Sequence, residues 1–204
     1  SLWVGLKNFQ LLWGSPVLMR IVRNTLLLNV LFIASGTFFS VLIALLLNEV
    51  RSRMVRRAYQ WIMFLPFFMG WSLVAMVLYG LIDYEIGTFN MLLKGLGLER
   101  IALTTKPQLW PWLLTIIRIW KGTGSGCIVY LAVLVGINPE LYEAAAIDGA
   151  GRFQRMWYIS LPSILPVVSI VLILSMGGIM NAGFDQIFNM YNARVYDVSD
   201  IIDT

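Results

Sequence analysis

Residues 143–162 read EAAAIDGAGRFQRMWYISLP, a polar island between two long apolar runs. Such runs organise the rest of the chain. Crossing roughly 30 Å of hydrocarbon takes about 20 mostly apolar residues, and only a helix satisfies its own backbone hydrogen bonds there. Four stretches meet that requirement: Asn24 to Leu47, Tyr59 to Gly80, Trp110 to Val135 and Leu161 to Gly183. The expected fold is all-α, a polytopic transmembrane helical bundle forming a single domain over residues 1–204.

Composition agrees with that reading. Of the 204 residues, 59% are hydrophobic and 13% charged, far from the balance of a soluble domain. The single Cys127 rules out a disulfide within the chain, and with no His the usual nitrogen ligand for zinc or copper is missing. No metal site and no metal catalysis are expected. The net charge of +4 comes from Arg and Lys beside the apolar runs, which suits orientation in a lipid bilayer better than contact with nucleic acid. The chain opens at Ser1 without a leader and closes at Thr204 in a polar, helix-poor stretch, so a piece of a longer protein is expected.

Between the first two runs, NEVRSRMVRRA places Arg51, Arg53, Arg56 and Arg57 against one carboxylate, Glu49. Positive charge in a short loop marks the cytoplasmic side. Alternation then puts residues 81–108 outside, the island inside, and residues 184–204 outside. Charge density favours this orientation. The raw count does not, because Lys7, Arg20, Arg23, Lys94, Arg100, Lys106 and Arg194 fall outside.

Three further features lie in or beside the runs. IGTFNMLLKGLGL (86–98) spaces Phe89, Leu92, Leu93 and Leu96 as a helix would, which suits either a surface-lying amphipathic helix or a plain packing helix. Trp110, Trp112 and Trp120 fall where interfacial aromatics gather, and Pro66 in LPFF is placed to kink the second run. Arg118 and Lys121 lie within the third run, where a cation costs about 3 kcal/mol. Snorkelling to the surface and facing a water-filled interior both remain open for them. GTGSG at 122–126 lacks the order of a phosphate-binding loop and reads as small-residue helix packing.

Within the island, Asn138-Pro139-Glu140 is a helix start: Asn caps, Pro is preorganised, and Glu faces the positive end of the dipole. The helix runs through Asp148 and ends at Gly149, which supplies left-handed geometry. Phe153 to Ile159 forms a second short helix before Pro162 opens the next span. Ala144, Ala145 and Ala146 keep the first helix thin enough to enter a groove. Phe153, Met156 and Trp157 offer apolar anchors, whose exposure on a loop would be explained by burial in a partner.

Glu143, Ala144 and Ala145, then Gly149, then nine residues, then Ile159, Leu161 and Pro162 resemble the EAA loop of ABC-importer inner-membrane permeases. The strings GLKNF (5–9), RNTLLLN (23–29), ALLLNEV (44–50), IWKG (119–122) and LYEAAAIDGA (141–150) resemble the carbohydrate branch. FDQIFNMYN (184–192) with VYDVSDIIDT (195–204) resembles permeases for complex oligosaccharides or polysaccharides. The resemblance implies four of a probable six spanning helices and a cytoplasmic two-helix coupling loop over 137–160. It implies ATPase contacts at Glu143, Ala144, Ala145, Asp148, Gly149, Phe153, Trp157, Leu161 and Pro162. It implies a non-catalytic transport subunit of the bacterial cytoplasmic (inner) membrane, with ATP and Mg bound by a partner ATPase and none by this chain. The other implied partners are a second permease, an extracytoplasmic solute-binding protein and a sugar.

A sugar pathway needs stacking aromatics and hydrogen-bonding groups, which Tyr79, Asp83, Asn181, Asp185, Gln186, Asn189 and Tyr191 would supply near the outer ends of spans. An ABC permease for an amino acid, phosphate or metal chelate would share the island without the carbohydrate-like strings. An ion-driven secondary transporter would bury acidic residues at mid-span, and the four runs hold none there.

Overall fold

Every regular element in the computed structural model, which describes residues 15–50 and 52–204, is helical. Lys7, Arg51 and the string at 5–9 lie outside the described residues. Helix α1 spans Pro16–Asn48 and α2 Arg53–Phe64, the latter continued by a 3₁₀ turn at Leu65–Phe68. They are followed by α3 (Trp71–Ile82), α4 (Thr88–Gly95), α5 (Trp110–Val135), α6 (Pro139–Ile147), α7 (Arg152–Gly177), α8 (Phe184–Met190) and α9 (Tyr196–Ser199). By length and composition α1 and α7 are each able to cross a membrane, and the bent pairs α2–α3 and α5–α6 pass the same test when each is taken as one span.

The third apolar run and α5 share the same bounds, but the other runs do not match their helices. α1 begins eight residues before Asn24, at Pro16. The second run is not one helix, because α2 stops at LPFF and Met69 and Gly70 are extended before α3 begins. Pro66 cannot donate to the helical ladder and its ring crowds the preceding turn. Phe64, Phe67 and Phe68 stack around the break, with centroids 5.1 to 5.9 Å apart. The fourth run ends at Gly177 rather than Gly183, and Gly183 adopts the left-handed geometry that starts α8. The terminal stretch is not helix-poor, since α8 and α9 both lie in it.

Two compact units divide the chain, one of 1–30, Gly70–Leu114 and Gly178–Thr204, the other of Leu31–Met69 and Thr115–Gly177. The second has an apolar core of Ala44, Leu45, Leu47, Cys127, Tyr130, Leu131, Leu134 and Ile164. Small residues set its helix approach. A side chain at Gly124 would run into the Met63 carbonyl, and one at Gly126 would meet the Ser40 hydroxyl, which is how glycine stripes act between membrane helices.

The first unit is stitched by buried polar groups as well as apolar ones. Asn24 donates to the carbonyls of Asp197 (3.0 Å) and Asp200 (3.2 Å), and Asn29 donates to that of Ile179 (2.5 Å). Thr25 accepts from the Ile202 amide (3.0 Å), and Arg20 pairs with Asp197 at 2.6 Å. Trp110 is wholly buried, so of the three expected interfacial aromatics only Trp112 and Trp120 are exposed. In α4 the anchor is Asn90, bonded to the Asp83 carbonyl and to both backbone groups of Ile101. Phe89, Leu92 and Leu96 stay exposed, so these members of the apolar stripe do not pack against the described residues of the protein.

Candidate functional site

The island opens with a built cap. Asn138 accepts from the Glu140 amide (3.1 Å), and its own amide reaches the Glu140 carboxylate (3.1 Å). Helix α6 closes in a Schellman arrangement: Ala150 N–H bonds to Ala145 O (2.8 Å) and Gly149 N–H to Ala146 O (3.1 Å), with Gly149 at φ +83°. That geometry disfavours any residue with a Cβ. Gly151 then caps α7 with its amide on the Gln154 side chain (2.7 Å).

The second helix of the island is not separate. Residues 152–177 form one helix with a π turn at Met156–Ser160, in which Leu161 N–H reaches back to Met156 O. Pro162 therefore lies inside α7 rather than opening it. Its missing N–H and its ring are accommodated where the π turn has already widened the ladder. The start of α7 is thus a direct extension of an apolar helix of spanning length.

Glu143, Ala144, Asp148, Gly149, Phe153, Trp157 and Pro162 are exposed, and Ala145 and Leu161 are half-buried. Ile147 (87%), Phe153 (80%) and Tyr158 (75%) are among the most exposed apolar side chains of the protein. The Tyr142 and Ser160 hydroxyls, 2.8 Å apart, tie α6 to α7 below this tip. Beside it a groove of about 480 Å³ is lined by Glu49, Arg56, Glu143, Arg152 and Arg155. The tip thus combines exposed apolar side chains, two helices joined through a hydrogen-bonded turn, and flanking charge.

Most of the expected pathway residues are committed to the fold. Gln186 is fully buried and donates to the Leu114 carbonyl (2.8 Å). The Tyr79 hydroxyl bonds the Met190 carbonyl. Asn189 accepts from Ser72 (2.7 Å) and donates to the Asp185 carbonyl (2.7 Å). Asp83 accepts from the amides of Glu85 (2.8 Å) and Ile86 (3.0 Å). These bonds, that from Ile86 foremost, hold its carboxyl below the usual carboxylate range. Asn181 and Asp185 are exposed, while Tyr191 packs its ring against Tyr196 (4.8 Å). The acidic partners of Arg20 and Asn24 in YDVSD escaped the sequence reading. The signal was present in polar residues at 20, 24, 25 and 29 of an otherwise apolar helix.

The two cations of α5 have different surroundings. Lys121 is 9% exposed and donates to the Phe67 carbonyl (2.9 Å) beside the Phe67 ring. The Arg118 guanidinium lies over Phe32, 4.6 Å from the ring centroid.

Residues 36–184 match the family described as the binding-protein-dependent transport system inner membrane component. A polygalacturonan/rhamnogalacturonan transport system permease protein of Bacillus subtilis (strain 168), YteP, is 37% identical over all of this chain, which spans 64% of that relative's length. Among solved structures, a bacterial ABC transporter involved in the import of the acidic polysaccharide alginate superposes with a TM-score of 0.94 at 36% identity, covering 99% of this chain and 71% of that one. A bacterial alginate ABC transporter in complex with an alginate pentasaccharide-bound periplasmic protein gives 0.93 at 36%, covering 98% and 69%. The capped α6, its glycine turn and the long apolar α7 all fall within the matched residues, and the chain belongs to the family of binding-protein-dependent transport system inner membrane components.

Proposed function

We propose that the whole protein is the transmembrane permease subunit of an ATP-driven ABC importer for sugars or oligosaccharides. It forms half of the translocation pathway with a second permease, receives sugar from an extracytoplasmic solute-binding protein, and takes its motion from cytoplasmic ATPase subunits that bind ATP and Mg. The chain itself is a non-catalytic transport subunit. Support comes from the family membership and from relatives whose names specify carbohydrate transport.

One observation carries the coupling role: the elbow at Gly149, where an exposed apolar tip is fixed to the end of a helix of spanning length. ATPase closure around residues 143–157 would push on α7 directly, because α7 continues from the tip through the π turn at Met156–Ser160 into its apolar body. Ala144 and Ala145 let the partner approach the α6 backbone closely, while Phe153 and Trp157 fill its cleft. Glu143 and Asp148 supply the charge that sets register. Leu161 and Pro162 connect the grip to the span.

The test is saccharide-stimulated ATP hydrolysis and uptake in proteoliposomes holding the full-length permease, its partners and a loaded solute-binding protein. Gly149→Asp should abolish coupling, seen as loss of uptake with normal membrane insertion. Normal uptake and normal ATPase association in that variant would contradict the coupling role. Uptake that runs on an ion gradient without ATP would contradict the importer assignment itself.

A further inference from the structure

Helix α2 opens on charge and closes on hydrocarbon. Ser52 caps it, accepting from the Val55 amide (3.4 Å), and Arg53, Arg56 and Arg57 follow at once. The first turn is the positive end of a helix and favours anions. Here it holds no acidic residue, and RMVRRAYQWIMFLPFF (53–68) contains no carboxylate at all. Cations so placed are electrostatically adverse unless an anion reaches them from outside the helix.

No residue of α2 is buried. At four-residue steps along one side, Arg53, Arg57, Trp61 and Leu65 form a continuous stripe. Phe68 extends it through the 3₁₀ turn, where residues three apart eclipse. All five are exposed. Arg56 is off this stripe: half-buried, it lines the groove that also holds Glu49 and Glu143. Among the described residues neither Arg53 nor Arg57 forms an ion pair within the chain.

The stripe is graded from end to end: two guanidiniums, then an indole, then hydrocarbon. Protein interfaces place an apolar centre inside a polar rim, whereas this order along a single axis is that of an amphiphile, with phosphate, glycerol ester and acyl chain in turn. Trp is a side chain that favours the layer between headgroup and hydrocarbon. From Arg57 to Phe68 the stripe measures roughly 18 Å, close to the ~15 Å of hydrocarbon in one leaflet. A zwitterionic headgroup would bring its own ammonium against the two guanidiniums. A headgroup of net negative charge would not.

We propose that this stripe binds one phospholipid of net negative charge, its phosphate on Arg53 and Arg57, its ester region on Trp61 and an acyl chain along Leu65 and Phe68. The anion offsets the cations and the helix dipole together. The site goes beyond the importer reading and does not depend on which solute the protein carries.

The test places the photoreactive residue p-benzoylphenylalanine in place of Trp61 in the full-length permease. That protein is assembled with its partner subunits in nanodiscs of phosphatidylethanolamine with a minor share of phosphatidylglycerol, and adducts are identified by mass spectrometry. The ratio of phosphatidylglycerol to phosphatidylethanolamine adducts should exceed the ratio in the bilayer by roughly fivefold or more, about the gain from one cation near a lipid surface. Arg53→Gln together with Arg57→Gln should bring it within about twofold of the bilayer ratio. Lys94→Gln together with Lys106→Gln, the same change in net charge elsewhere, should leave the enrichment intact. If the arginine variant does not assemble, raised ionic strength carries the comparison, because screening should lower the enrichment while both arginines are present. Three results would overturn the proposal. Adducts at the bilayer ratio with both arginines present would leave the stripe in bulk lipid; an equal loss in the lysine variant would assign the effect to net charge alone; adducts to a partner subunit in place of lipid would make the stripe a protein interface.

Discussion

The Lys121 ammonium donates a 2.9 Å hydrogen bond to the main-chain carbonyl of Phe67, the point at which the second apolar run breaks. Carbonyls at a helix end have no partner within the helix, and in an apolar setting an unpartnered one is costly. The cation of α5 thus holds open a break that Pro66 starts. Lys121→Met should destabilise the full-length permease by roughly 1–3 kcal/mol, read as a lower thermal midpoint in detergent, with Lys121→Arg milder. An unchanged midpoint in Lys121→Met would remove this role.

Gly124 and Gly122 make a paired test of helix approach. A Cβ at Gly124 would strike the Met63 backbone, whereas one at Gly122 meets nothing within 4 Å. Gly124→Ala should cost about 1–3 kcal/mol through forced separation of α5 from α2. Gly122→Ala should be neutral or stabilising by up to about 1 kcal/mol through helix propensity. Equal midpoints for the two variants would show that the close approach contributes nothing.

Asn24 reaches the carbonyls of Asp197 and Asp200 across more than 170 residues of sequence. Asn24→Leu keeps the apolar character of α1 but leaves both carbonyls without that donor, so roughly 1–3 kcal/mol should be lost. Limited proteolysis of the full-length protein should then cut within 191–204 faster than in the wild type. Identical cleavage rates would mean that the segment is held by its other contacts.

Helix class, the bounds of α5, the cap at Asn138 and the turn at Gly149 were legible in the sequence because each rests on local chemistry: apolar length, a capping side chain, a glycine. The break in the second run was only half legible. Pro66 announced a kink, but the extended Met69 and Gly70 depend on the Phe64, Phe67 and Phe68 cluster and on Lys121, fifty-four residues away from the carbonyl it binds. Continuity of α7 through Pro162 was missed because a π turn has no sequence signature that outweighs a proline. Expected pathway residues such as Gln186 and Tyr79 had the right chemistry, but residue type does not reveal that a carbonyl at Leu114 or Met190 has already claimed it.

The central claim is that residues 143–157 are gripped by an ATPase. A single cysteine at Glu143 in the full-length permease tests it most directly, with Cys127→Ser removing the native thiol while keeping a donor for the Gly124 carbonyl that the thiol reaches at 3.2 Å. Crosslinking to a cysteine series on the cognate ATPase should succeed, and the pattern should change on adding ATP. An assembled complex that yields no crosslink from this position would contradict the account and leave the island as a loop packed on its own helices.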